Sequence, residues 1–169
     1  MSIEIRDGLE ADKAAVYEVN AAAFPTEAEA KLVDALRTTA HPCISLVAVD
    51  GQDIIGHIMF SPVTLGTFDE LRLMGLAPMA VSPSSQQSGI GTRLVDAGLE
   101  ECRKLGVGAV VVLGHAEYYP RFGFRPASQW GIQCEYEVPD DAFMLIELAS
   151  GYLRGYRGTI RYHAVFAQA

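Results

Sequence analysis

Residues 79–92 read MAVSPSSQQSGIGT, a strand end, a loop and a helix start in fourteen residues. An apolar run ends at Val81, a polar loop follows, and an amphipathic helix pattern begins at Gly89. Glycine inside a helix costs about 1 kcal/mol against alanine, so two of them at its start, Gly89 and Gly91, need a reason. The first turn of a helix carries N–H groups without intrahelical partners. Without β-carbons at 89 and 91 a large anion can approach those groups closely, and the helix dipole favours it. Ser88 and Thr92 add hydroxyl donors. The competing explanation is a tight loop packed on a sheet, with Ser88 as an N-cap. The Lys-Ser/Thr ending of a P-loop is missing from "GIGTR", and a third glycine of the dinucleotide fingerprint is missing too.

Outward from this stretch, the chain alternates between strand and helix patterns. On the N-terminal side, Ile3–Arg6 reads as a strand, and Leu9–Phe24, interrupted by Pro25, and Glu27–Arg37 read as helices. Cys43 to Val63 reads as a hairpin turning at Asp50-Gly51, with Ile54–Val63 as the returning strand and Gly56 marking a bulge or a close approach. Leu71–Val81 is the strand that enters the loop. On the C-terminal side, Gly89–Leu105 is the clearest helix, with Ile90, Leu94, Gly98 and Cys102 on one stripe. Val107–Gly114 is a continuous apolar run, as expected of a strand covered on both faces. "AEYYPRFGF" reads as a short helix ending at Gly123, and Phe143–Leu148 as a further strand. Gly151–Phe166 has no clear period. The sum is an α/β chain of the α+β kind, a mixed sheet flanked by helices, in one domain spanning 1–169.

With 169 residues, half of them hydrophobic, the chain can bury a core without disulfides or metal. A net charge of −8 argues against nucleic acid and against an anionic membrane surface as partners. Its three cysteines form no CxxC pair, which suits a reduced, cytoplasmic setting. The N-terminus carries no signal-peptide pattern, and no segment has the length of apolar sequence a membrane span needs. Cys43, Cys102 and Cys134 read as packing residues, and the four histidines are scattered without metal-ligand spacing.

Gln86-Gln87-Ser88-Gly89-Ile90-Gly91 resembles the Gln/Arg-x-x-Gly-x-Gly/Ala signature of the GCN5-related N-acetyltransferase (GNAT) superfamily. "EYYPRFGF" resembles that family's aromatic stretch near the C-terminal end of the fold. "GHIMFSPV", "YYPRFGF" and "IRYHAVF" are similar to a bacterial subgroup of YhbS-like acetyltransferases. The resemblance implies a mostly antiparallel sheet splayed at one parallel pair, with acetyl-CoA as co-substrate in the splay and no metal. It implies that the backbone of Met79, Ala80 and Val81 pairs with the pantetheine arm. Gln86, Gln87, Ser88, Gly89, Ile90, Gly91 and Thr92 would then hold the pyrophosphate. Tyr119 matches the tyrosine that protonates the departing thiolate in such proteins, with packing as its alternative role; Tyr118 is the weaker candidate. Arg121 either approaches the CoA phosphates or is solvated.

The implied activity is direct transfer of an acetyl group to a primary amine, on a small-molecule acceptor in preference to a protein. A hydroxyl acceptor, another acyl group and a CoA-binding module without catalysis are the alternatives. The general base is left among Glu27, Glu29, His57 and His115, each of which also reads as structural or solvated. Trp130 and Tyr136 hint at acceptor contacts or cover a sheet edge, and His163 closes the acceptor pocket, makes a subunit contact or belongs to a C-terminal strand. Homodimers are common in the family.

Overall fold

The Asp50-Gly51 turn sets the first register. Gly51, at φ +65°, turns the chain so that Asp50 faces Asp53 across a two-residue loop. This computed structural model describes residues 2–168. In chain order it contains β1 (Ile3–Asp7), α1 (Lys13–Ala23), α2 (Ala28–Thr39), β2 (Ile44–Asp50), β3 (Asp53–Leu65) and β4 (Leu73–Val81). Then follow α3 (Ile90–Lys104), β5 (Ala109–Leu113), β6 (Arg125–Pro126), β7 (Ile132–Cys134), β8 (Phe143–Glu147) and β9 (Gly158–Arg161), with short 3-10 turns between them.

The main sheet runs β1-β2-β3-β4-β5-β8-β6, and β9 joins the far end of β3 and β7. Along the main sheet only the β4–β5 pair is parallel. Helix α3 covers one face. Its buried residues Ile90, Leu94, Val95, Leu99 and Cys102 meet Ile58 and Phe60 of β3 and Val110 and Val112 of β5. Two glycines allow the close fit. A β-carbon at Gly56 would stand 3.1 Å from Leu94 Cδ1, and one at Gly98 would fall inside the Phe60 ring. Helices α1 and α2 cover the other face, where Val16, Leu32, Val33 and Leu36 pack on Val47, Val49 and Met59.

Local chemistry sets the helix ends. Gly106, at φ +79°, closes α3: its N–H donates to Arg103 O and the Val107 N–H donates to Cys102 O, the paired bonds of a Schellman motif. The first helix starts later than its apolar spacing suggests. Asp12 accepts from Arg6 at 2.7 Å and from the Leu9 N–H at 2.7 Å, which holds Glu10–Asp12 in a 3-10 turn and delays α1 to Lys13. Strand β5 is covered on both faces, as its continuous apolar run suggests.

Candidate functional site

The site is built on a fault in the sheet. Strands β4 and β5 pair over four positions, from Leu73–Ala109 to Leu76–Val112. Beyond Leu76 the other neighbour, β3, places Met59 opposite two residues of β4, Ala77 and Pro78, in a bulge. Pro78 has no N–H to give the ladder, so a bulge suits it. β4 then continues through Met79, Ala80 and Val81, paired with β3 alone. Its edge towards β5 is open there, with backbone donors and acceptors unpaired by that neighbour. Met79 and Val81 lean on the α3-side core, while Ala80 is buried on the other face.

The loop that follows is held by its own polar groups. The Ser82 N–H donates to Ile55 O, and Gln86 Nε2 donates to Val81 O at 3.1 Å. The Ser88 hydroxyl donates to Ser85 O. Gln87 at φ +65° and Gly89 at φ +83° both take the left-handed conformation. Gly89 itself is the N-cap of α3, so the helix begins at Ile90, and Ser88, read from sequence as a capping or ligand-facing hydroxyl, is spent inside the loop. No side chain caps the helix, which leaves the N–H groups of residues 89–92 open. The two glycines act differently. Gly89 supplies the φ, and nothing lies within 4 Å of where its β-carbon would be. Gly91 supplies room, because a β-carbon there would stand 3.3 Å from the Tyr118 hydroxyl and 3.6 Å from Met79 Cε.

The EYYPRFGF segment folds back onto this loop. Tyr118 bonds Thr92 Oγ1 at 3.1 Å through its hydroxyl. Arg121 donates from Nε to Tyr118 O at 2.8 Å, and its guanidinium stands 4.3 Å over the Tyr118 ring. Val81, Gln87, Gly89, Gly91, Tyr118 and Arg121 line one concavity of about 360 Å³, together with the neighbouring loop residues. A cation and a ring of open N–H groups make it suited to an anion. Tyr119 takes the inward place. It packs on Phe124 with ring centroids 5.6 Å apart and fills the space that a side chain at Gly114 would need. Burial pushes its phenol up to about 12, so it keeps its proton at neutral pH. Tyr118, the weaker candidate from sequence, is therefore the tyrosine that touches the loop. Its link to residues 86–92 depends on the turn at Pro120, and no local sequence signal reports it.

The acid–base candidates lie on the α1–α2 side of the sheet or at its end. Helix α2 leads into β2, and the α1–α2 turn lies at its other end. Glu27 there accepts from the Tyr17 hydroxyl at 3.0 Å. Glu29 has a buried Oε1 with no partner among the described residues. His115 is exposed in the turn after β5, its carbonyl accepting the Tyr118 N–H. Trp130 packs in the second core cluster, Tyr136 stacks on Tyr162 with centroids 6.1 Å apart, and His163 Nδ1 accepts the Val165 N–H.

His57 is fully buried and bonded at both ring nitrogens. Asn20 Nδ2 donates to Val16 O and to His57 Nδ1, which leaves the ring proton on Nε2, donated to Ser45 Oγ at 2.9 Å. Desolvation lowers its pKa to about 3. The folded state therefore binds this proton less readily than the unfolded chain, whose histidine titrates near 6.5. This stability is complete above about pH 6.5 and is lost as pH falls towards 3, with a slope of at most about 1.4 kcal/mol per pH unit. Thermal melts of the His57→Gln variant between pH 7 and 4 should be flatter than those of the parent. Equal slopes would show that other groups govern the acid limb.

Among the described residues, no group of three or more His, Cys, Asp or Glu side chains is placed to hold a metal ion, and no helix is long and apolar enough to cross a membrane.

A sheet splayed at one parallel pair, with an uncapped helix start at the end of its open strand, is the architecture of acyl-CoA-using transferases. The sequence model of the acetyltransferase (GNAT) family matches residues 13–124, and the chain belongs to that family. Within it, the chain is 37% identical over 144 residues to the uncharacterized N-acetyltransferase YhbS of Escherichia coli, covering 85% of this chain and 86% of that one. The crystal structure of YhbS in complex with CoA superposes with a TM-score of 0.92 at 34% identity, covering 98% of this chain and 92% of that one. A GNAT acetyltransferase from Brucella melitensis in complex with acetyl-CoA gives a TM-score of 0.81 at 32% identity, with 98% of each chain covered.

Proposed function

We propose that this protein is an acetyl-CoA-dependent N-acetyltransferase that moves the acetyl group directly to a primary amine of a small molecule. The observation that carries this reading is the continuity of the open β4 edge with the N–H cradle of residues 89–92. One linear ligand with an amide-rich arm and a pyrophosphate can use both at once. CoA and acetyl-CoA, the molecules bound in the two similar crystal structures, have that form. Met79, Ala80 and Val81 pair through backbone with the arm, as an added strand would. Residues 86–92 hold the pyrophosphate chiefly through backbone amides, with Thr92, Tyr118 and Arg121 alongside.

Acetyl transfer needs a neutral amine close to the thioester carbonyl, donors for the oxygen that gains charge, and a proton for the leaving sulfur. Pro78 has no N–H, so the donor at the β4 bulge is the backbone N–H of Ala77. Tyr119, protonated at neutral pH, gives its proton to the thiolate. Glu29 is the candidate for taking the amine proton, through water, because its buried carboxylate oxygen is unpartnered at the start of α2. His57 is unsuited to that role, since both its ring nitrogens are engaged and its charged form is disfavoured. The negative net charge suits a cationic acceptor.

The test is calorimetric titration with acetyl-CoA, followed in the same sample by thiol release with a panel of amines and alcohols. Micromolar binding with amine-dependent release is the expected result. Release with alcohols alone would make it an O-acetyltransferase, and binding without release from any acceptor would make it a CoA-binding module.

A further inference from the structure

A second cavity lies at the other end of α3, roughly 22 Å of helix away from residues 89–92. It measures about 520 Å³, within the range of small-molecule sites, and opens between the β1–α1 turn, the end of α2, the start of β2 and the end of α3. Nothing in the transferase reading uses it.

Its floor is a donor set. Ser45 Oγ already accepts the His57 Nε2 proton, so the serine's own hydrogen is left to donate. Gly8 lies over it, and a β-carbon at Gly8 would stand 3.0 Å from Ser45 Oγ. Gly8 has no left-handed φ to explain it, so the missing side chain serves space and keeps the hydroxyl open to the cavity. Beside it is Arg37, whose charge acts on both Cys43 and His57 and which uses Nη1 on Asp34 at 3.1 Å. A guanidinium and a hydroxyl together recognise a carboxylate. The surrounding charge is opposite: Asp7, Glu10 and Glu101 line the same cavity, against one further cation, Lys104. A dianion is disfavoured there, while a molecule carrying an ammonium beside its carboxylate is accommodated. The walls also carry apolar surface. Leu9 and Leu105, two of the four large hydrophobic side chains that stand exposed among the described residues, are 59% and 42% exposed and both line this cavity. Two exposed leucines on the wall of one cavity give it apolar surface for a ligand's hydrocarbon part.

We infer that this cavity binds a free amino acid with an apolar side chain: carboxylate to Arg37 and Ser45, ammonium towards Asp7 and Glu10, side chain between Leu9 and Leu105.

The test titrates the full chain, saturated with acetyl-CoA, with L-leucine, and in parallel with 4-methylpentanoate, isoamylamine and L-glutamate. Leucine should bind saturably with acetyl-CoA in place and without thioester loss. Each comparison compound, lacking one of the three groups, should bind at least about tenfold more weakly. Arg37→Met and Leu105→Gln should each weaken leucine by a similar factor, and the exposed Leu105 position carries the test alone if Arg37→Met does not fold. The inference is overturned if leucine, isoleucine and phenylalanine all fail to bind. It is equally overturned if leucine binds both variants as it binds the parent, or if leucine displaces acetyl-CoA or consumes it. Should acetyl-CoA itself not bind, the leucine titration remains readable, and only the transferase reading is lost.

Discussion

Tyr119→Phe should lower turnover about a hundredfold while leaving the dissociation constant of acetyl-CoA unchanged within about twofold. The phenylalanine keeps the ring against Phe124 and Gly114, so the change removes one hydroxyl and little else. Without it the thiolate leaves unprotonated or takes a proton from water. Because burial holds this phenol at about 12, its deprotonation does not limit the parent enzyme at ordinary alkaline pH. The rate should rise with pH as the acceptor amine loses its proton, then level. The variant should show the same rise to a lower plateau. Steady-state kinetics with one responsive amine, beside calorimetry, separates the two effects. An unchanged plateau would make Tyr119 a packing residue only.

The second large effect is expected at Gly89. A valine there meets no neighbour, yet it must hold φ near +83°, where L-residues lose about 1–2 kcal/mol and β-branched ones more. The loop relaxes towards an ordinary conformation and the open N–H groups turn away from one another. Acetyl-CoA affinity should fall about ten- to a hundredfold, with the melting temperature changed far less than the affinity. Gly89→Asn is the control, because asparagine tolerates the left-handed region and should retain most of the affinity. If asparagine and valine weaken binding equally, side-chain bulk near the ligand, and not backbone conformation, is the cause.

The parts of this architecture legible in sequence are those that local pattern determines. Helix α3 shows its stripe from Ile90 to Cys102, and Gly89 at its start and Gly106 at its end take the left-handed backbone conformation. The β2–β3 hairpin is written in Asp50-Gly51, and β5 in an unbroken apolar run. The parts that sequence does not show depend on distant partners. Strand β9 pairs Arg161 with Thr64 and Ile160 with Leu65, almost a hundred residues earlier, and β6 and β7 are too short to carry a period. The spread of β4 from β5 is likewise a matter of where pairing ends, not of which residues are present. Around the candidate site, residues 86–92 are visible as a glycine pattern, whereas the approach of Tyr118 and Arg121 is set by a tertiary turn. Asn20 is the one polar side chain on the buried stripe of α1, beside Val16 and Val19, and that contrast is the signal sequence carries for the His57 contact.

The open length of β4 has a consequence for the unliganded protein in concentrated solution. Chains with unpaired strand edges recruit other strands, and the usual protections are charge, proline or a covering element. Here the exposed edge lies inside the sheet, recessed between β3 and the end of β5, with Pro78 at its entrance. An extended peptide from another molecule would have to enter a slot that a slim ligand fits. Recessing the edge thus lets the protein keep reactive backbone available without inviting self-association. Molecules whose β5 side has frayed lose that shelter first, so the ligand that fills the slot should also slow aggregation.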